Sequence, residues 1–319
     1  MPSGATPAGA IPVGRRVRVQ VPATSANLGP GFDTLGLALN VHDELVVEAV
    51  EGSAVRVEVE GVGAGEVPTD AENLVARSLL HVLEAVGVEA PGLVLRARNA
   101  IPHGRGMGSS GAAIVSGVLA AQGLLEGIVE LDDADVLRFA TELEGHPDNV
   151  APAIFGGLTI AWVDGTGPRH KQLAVHRGVS LLVAVPEATM STKLARSLQP
   201  EAVPHADAVF NLSRSALLVA ALTQSPELLL DATEDRLHQA YRSSAMPGTS
   251  ALVAALRDAG HAAVVSGAGP SVLVLANDPA ARLEAAAIVE ARDEPWRALL
   301  LAVDIRGGTV ESVSPSAAA

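Results

Sequence analysis

The stretch Ile101-Pro-His-Gly-Arg-Gly-Met-Gly-Ser-Ser-Gly-Ala-Ala-Ile-Val-Ser-Gly-Val-Leu-Ala-Ala121 constrains this chain more than any other part of it. Gly104, Gly106 and Gly108 occupy every second position, and Ser109, Ser110 and Gly111 follow. A residue without Cβ can take positive φ and bring its N–H close to a ligand. Residues 112–122 are small, apolar and good helix formers, so the loop is expected to open a buried helix. Ser109 or Ser110 stands where an N-cap belongs. Such a loop is an anion site, because free N–H donors and the positive end of the helix dipole point the same way. A nucleotide phosphate is the expected anion. A Walker A loop would end in Gly-Lys-Ser/Thr, and no lysine lies in this stretch. A dinucleotide fingerprint needs glycine where Ser109 stands, and no ribose-binding acid is apparent downstream. The alternative is a tight strand-to-helix turn, but three alternating glycines and two serines exceed what a turn requires.

At 319 residues the chain can hold two domains, and 48% apolar with 18% charged residues suits a globular protein. Aromatics make up 2%, too few for extensive base stacking, and the net charge of −14 lacks the basic field of a nucleic-acid surface. An acidic chain must therefore bind an anion locally, with backbone donors, a few arginines and a metal ion. The absence of cysteine excludes disulfides, thiolate zinc sites and cysteine nucleophiles. Residues 1–14 read as a disordered tail without signal-peptide character. No apolar run is expected to reach transmembrane length, so the expectation is a soluble, cytoplasmic protein with no membrane or nucleic-acid partner.

Strands are expected at residues 16–21, 37–49, 53–60 and 93–100, and a helix at 73–86. Between the first two strands, residues 22–36 are turn-rich and carry Thr24, Ser25, Asn27 and Asp33. Local Asx and Ser/Thr turn chemistry and a binding loop explain these polar residues equally well. A helix from Asp132-Asp133 should stop at Gly145, ahead of Pro147, and residues 150–158 read as a glycine-rich turn into a strand. Glu144, His146, Asp148 and Asn149 gather at that helix end. Acids near a helix C-terminus oppose the dipole, so something other than the helix should hold them there. A buried strand at 179–186 marks a change of domain. Helices follow at 206–222, 226–239, 249–259 and 280–291, with strands at 262–266, 272–276 and 298–304. This alternation predicts an α+β sandwich of ferredoxin-like type, ending in a frayed tail at 307–319.

Three segments, 22–37, 102–113 and 265–273, resemble in order and spacing the three signature motifs of the GHMP small-molecule kinases. The segments Ser25-Ala-Asn-Leu-Gly-Pro-Gly-Phe-Asp33, Glu144-Gly-His-Pro-Asp-Asn-Val-Ala-Pro152, Ser191-Thr-Lys-Leu-Ala-Arg196 and Tyr241-Arg242 further resemble the members that act on L-homoserine. The likeness covers residues 16–305. It implies a two-domain α+β fold, with a ribosomal S5 domain 2-like ATP-binding domain at 15–178 and a ferredoxin-like domain at 179–306. Departures are Met107 in place of leucine, Gly111 where many relatives carry a third serine, and a short link between Glu144 and His146.

The resemblance implies phosphoryl transfer from ATP to the side-chain hydroxyl of L-homoserine. Pro102, His103, Gly104, Arg105, Gly106, Met107, Gly108, Ser109, Ser110, Gly111 and Ala112 would wrap the phosphates, and Asn73 would lie on the adenine side. Mg²⁺ would be held by Glu144 and a loop serine, Ser109 or Ser110; it needs few protein ligands. Arg196 and Arg242 would clamp the substrate carboxylate, since guanidinium forks suit carboxylates. Asn27, Asp33 and His146 would surround the ammonium, with Thr192 nearby, and Asn149 would bind the attacking hydroxyl. Asp33 or Asp148 could serve as a base, although a loose transition state makes direct transfer without one the favoured version. A GHMP enzyme acting on mevalonate, a sugar or a cytidine-linked erythritol, and a non-catalytic nucleotide-binding relative, are the alternatives. A homodimer is compatible with the resemblance.

Overall fold

The computed structural model describes residues 9–313, and its strands fall into two sheets. The strands are β1 (Arg16–Ala26), β2 (Leu35–Val50), β3 (Val55–Gly61), β4 (Gly92–Asn99), β5 (Leu158–Asp164), β6 (Gly167–Leu173), β7 (Ser180–Pro186), β8 (Ala263–Val265), β9 (Val272–Ala276), β10 (Trp296–Leu301) and β11 (Thr309–Ser312). The helices are α1 (Leu74–Ala85), α2 (Ser109–Leu124), α3 (Asp133–Glu144), α4 (Pro147–Phe155), α5 (Thr192–Ser197), α6 (His205–Thr223), α7 (Leu229–Ala232), α8 (Gln239–Arg242), α9 (Pro247–Asp258) and α10 (Pro279–Glu290).

The first sheet has the order β11-β1-β2-β4-β3, and β5 pairs with β2 and carries β6. β3 and β4 run parallel, so the chain must cross over between them, and α1 is the crossover. The expected phosphate-loop helix, α2, is buried along most of its length and packs on α1, α3 and β1. The second sheet has the order β10-β7-β9-β8 with antiparallel pairs throughout, which is the split βαββαβ topology of a ferredoxin-like domain. Alternation along β7 divides its faces. Leu181 and Val183 join a core continuous with Val19 and Leu37 of the first sheet, while Leu182 and Ala184 pack with Leu252 of α9 and Val289 of α10.

Several expectations change. β1 continues past Pro22 through a register shift, so Thr24, Ser25 and Ala26 are strand residues paired with β2, and the loop begins only at Asn27. Residues 150–155 are helical, because α4 starts at Pro147, which suits a first turn, and runs to Phe155. The segment 226–239 is broken rather than one helix. Beyond α7, the Asp235 carboxylate accepts from the N–H groups of Leu237, His238 and Gln239, an Asx turn that competes with helix. At the ends, Ile11 is buried and Gly14 donates to the Ala49 carbonyl. Residues 309–312 form β11 on the edge of β1 and are no tail. The remainder of both expected tails, residues 1–8 and 314–319, lies outside the described residues. By length and composition α6 is apolar enough to cross a membrane, although His205, Asp207 and Arg214 interrupt its apolar run as expected. It nevertheless carries Asn211, whose amide donates to the Pro30 carbonyl, and Asp207 and Arg214, which pair with Arg236 and Glu234.

Candidate active site

The phosphate loop is held from both sides. The side chain of Arg105, one of the residues expected to wrap the phosphates, donates to the carbonyls of His103, Pro186 and Glu187 and so ties the loop to the end of β7. Met107 is fully buried, and its carbonyl accepts from the Thr24 N–H. The Ser266 hydroxyl donates to the Gly106 carbonyl at 2.6 Å. The N-cap of α2 is Gly108, in the left-handed region at φ 70°, and neither Ser109 nor Ser110 caps the helix. A Cβ at Gly108 would overlap the Thr24 hydroxyl. This correction strengthens the anion reading, because a cap without a side-chain acceptor leaves the first N–H groups of α2 unpaired.

Ser110 turns its hydroxyl to Glu144, donating to Oε2 at 3.0 Å. Glu144 ends α3, and Gly145 caps the helix in the left-handed region at φ 93°. Burial lifts the Glu144 carboxyl above its usual range, an effect only partly opposed by the Ser110 hydroxyl. A hydroxyl and a carboxylate in contact, with charge that burial disfavours, are suited to a small hard cation. Among the described residues no group of three His, Cys, Asp or Glu side chains is placed to hold a metal ion.

Beyond Glu144, His146 pairs through Nδ1 with Asp148, which is buried. Burial opposes a charge on His146, but the hydrogen bond and charge of Asp148 outweigh it and raise its affinity for a proton. The next residue, Asn149, presents its amide Oδ1 to the Thr24 hydroxyl at 2.9 Å.

Across the cleft, Arg196 of α5 grips Asp33 with both guanidinium nitrogens, at 3.0 and 3.1 Å. The loop that carries Asp33 contains three non-glycine residues at positive φ, Asn27, Leu28 and Asp33. It is braced from the second sheet's side: His238 meets the Gly29 carbonyl at 2.7 Å and stacks on Phe32, and Asn211 donates to Pro30. Arg242 is buried, donates to the Gly267 carbonyl and lies 5.3 Å from the Phe32 ring centre. Asn27 donates to the same carbonyl.

Asn27, Asp33, Gly104, Gly106, Gly108, Ser109, Ser110, Glu144, His146, Asn149, Thr192, Arg196 and Arg242 thus line one cleft of about 230 Å³. A second cavity of about 330 Å³ holds Asn73 and His103, and Ser109 and Ser110 line both. Asn73 is also the N-cap of α1, where its side chain accepts from Val75. Pro102, Arg105, Met107, Gly111 and Ala112 line neither cavity. Met190, Ser191, Gly267 and Gly269 line the cleft without having been assigned. Their signal lay in the glycine-rich turn 265–273 and in the Ser191 segment. His238 and Asn211 carried none, because each acts on a backbone carbonyl about two hundred residues distant.

Residues 73–157 match the GHMP kinases N terminal domain and residues 216–294 the GHMP kinases C terminal domain, so fold and loop define a GHMP kinase. The chain is 67% identical to a homoserine kinase of Clavibacter michiganensis subsp. michiganensis, over 97% of this chain and 98% of that protein. It is 65% identical to one of Leifsonia xyli subsp. xyli, over 95% and 94%. The crystal structure of homoserine kinase from Cytophaga hutchinsonii aligns with a TM-score of 0.83 at 30% identity, covering 93% of this chain and 97% of that one. The chain belongs to the homoserine kinase family of GHMP kinases.

Proposed function

We propose that this protein transfers the γ-phosphoryl group of ATP to the side-chain hydroxyl of L-homoserine, giving O-phospho-L-homoserine and ADP, a step of threonine biosynthesis. The observation that carries the reading is the Ser110–Glu144 contact at the mouth of α2, in the same cleft as Asn149 and the Asp33–Arg196 pair. The nucleotide base lies in the cavity of Asn73, and the triphosphate passes over Ser109 and Ser110 to the N–H groups of α2. Ser110 and Glu144 would hold Mg²⁺, which neutralises phosphate charge when bound.

The substrate's own charges match the cleft. Its carboxylate meets Arg196 and Arg242, and its ammonium meets Asp33 and Asn27, so a zwitterion replaces each partner of the existing ion pair with a new one. Asn149 orients the hydroxyl. The hydroxyl oxygen then forms the new bond to γ-phosphorus as the bond to the β–γ bridging oxygen breaks, and its proton passes to an oxygen of the transferred phosphoryl group. Neither candidate base is free: Asp148 is engaged by His146, and Asp33 by Arg196 before substrate arrives and by ammonium afterwards. Positioning and charge neutralisation therefore carry the reaction. The reaction of an amino acid with ATP is assigned to the cytoplasm.

ADP release measured with homoserine, mevalonate and galactose in turn tests the proposal. Turnover is expected with homoserine alone, and equal or faster turnover with either other alcohol would overturn it.

A further inference from the structure

Thr24 stands at the tip of β1, fully buried, in a position that no phosphate or substrate group is expected to reach. Its backbone N–H donates to the Met107 carbonyl inside the phosphate loop at 3.1 Å, and its hydroxyl donates to Asn149 Oδ1 at 2.9 Å. The same hydroxyl packs so closely on Gly108 that a Cβ there would overlap it. One side chain therefore touches both the glycine that caps α2 and the amide that faces the acceptor hydroxyl. As a β-branched residue held in a strand, Thr24 has little χ1 freedom.

From this geometry we infer that Thr24 is a positioning residue that holds the Asn149 amide in place beside the phosphate loop. The inference rests on the phosphoryl-transfer reading given above. An amide has one accepting and one donating end. With Oδ1 held by the Thr24 hydroxyl, the amide is anchored at one end, and its Nδ2 is left for a ligand in the cleft that Asn149 lines. A donor there binds a lone pair of the substrate hydroxyl and leaves the hydroxyl's own proton directed away from Asn149, toward the phosphoryl oxygens. Thr24 thereby aligns the nucleophile while its contact with Gly108 keeps that alignment in register with the phosphate loop.

Thr24→Val keeps the shape and removes the donor, so kcat with homoserine should fall roughly ten- to hundredfold, the scale of a misaligned reactant, while KM for ATP and the melting temperature stay close to wild type. Thr24→Ser restores the hydroxyl and should recover most of kcat. In an Asn149→Ala background the Thr24→Val change should cost nothing more, because its target is gone. Wild-type kcat in Thr24→Val, or an equal loss in the Asn149→Ala background, overturns the inference. If Thr24→Val does not fold, the pair Thr24→Ser and Thr24→Ala supplies the same contrast, and equal kcat in the two overturns it. A wild-type protein that releases no ADP with homoserine sinks the functional reading instead, so the two failures are separable.

Discussion

Gly106 offers the sharpest test of how the phosphate loop is held. An alanine Cβ at this position would overlap the Ser266 carbonyl and lie 2.9 Å from the Gly269 carbonyl and 3.0 Å from the Gly269 nitrogen, with φ at 71°. All three atoms are backbone, so none can rotate aside. The left-handed conformation costs a residue with Cβ about 1–2 kcal/mol, and the overpacking adds about 1–3 kcal/mol. The apparent Tm of Gly106→Ala should fall by roughly 5–15 °C at the few degrees per kcal/mol expected for a chain of this size. Relief of the overlap moves the loop by about 1 Å, and a misplacement of that size costs about a hundredfold in rate. Gly104→Ala is the control. It carries the same backbone strain at φ 63°, but its nearest neighbour is the Thr189 side chain at 3.4 Å, an ordinary contact. Coupled ADP-release kinetics and thermal melts on both variants separate strain from collision. If the two lose rate and Tm to the same extent, the clamp by the Ser266 and Gly269 backbone is not what holds the loop.

Glu144→Gln should abolish turnover across a Mg²⁺ titration while leaving Tm in metal-free buffer unchanged or raised. Burial lifts the folded-state pKa of this carboxyl, so its ionised form lowers stability above the usual glutamate range and a neutral amide avoids that cost; normal turnover at ordinary Mg²⁺ would remove Glu144 from the site. Arg196→Ala and Arg242→Ala should each raise KM for homoserine about ten- to a hundredfold, as expected for a lost charged hydrogen bond, and leave KM for ATP nearly unchanged. Arg242→Ala alone should also lower Tm, since Arg242 is buried on the Gly267 carbonyl whereas Arg196 is half exposed; equal effects on both substrates would point to a structural role. Asp304 gives the acid-side test: burial would raise its pKa, but the His42 hydrogen bond and the N–H groups of Gly307 and Arg306 outweigh this and lower it. A depressed carboxyl contributes stability above its unfolded pKa and loses it as pH falls through the folded value, so the Tm gap between wild type and Asp304→Asn should close below about pH 4. A gap that stays constant from pH 7 to pH 3 would show that Asp304 contributes nothing through its charge.

The glycine-serine run was readable because its meaning is local: alternating glycines and a small apolar helix fix a strand–loop–helix anion site wherever the chain puts them. The ferredoxin-like class of the second sheet was readable for a similar reason, since short apolar strands and amphipathic helices alternate in the sequence. Period alone did not reveal β11, whose four residues are half exposed and become a strand only because β1 offers an open edge. Nor did composition show that Thr24 to Ala26 belong to a strand, because Pro22 and the small polar residues around it read as turn until β2 lies alongside. The expected serine cap failed on a different point. Gly108 can take the left-handed cap conformation, and the Thr24 hydroxyl leaves room there for no other residue.

By itself, then, the sequence determined the chemistry available: a glycine-rich anion loop, an acid stranded at a helix end, and two arginines and an asparagine within recognisable motifs. Only the tertiary structure decided which of these groups meet. Asp33 and Arg196 are 163 residues apart in the chain, and Thr24 and Asn149 are 125 apart. Such pairings are set by how two sheets share one core and bring the ends of β1, α3 and α5 to a single cleft. Periodicity specifies which face of an element is buried, but the partner across that face depends on the path of the whole chain.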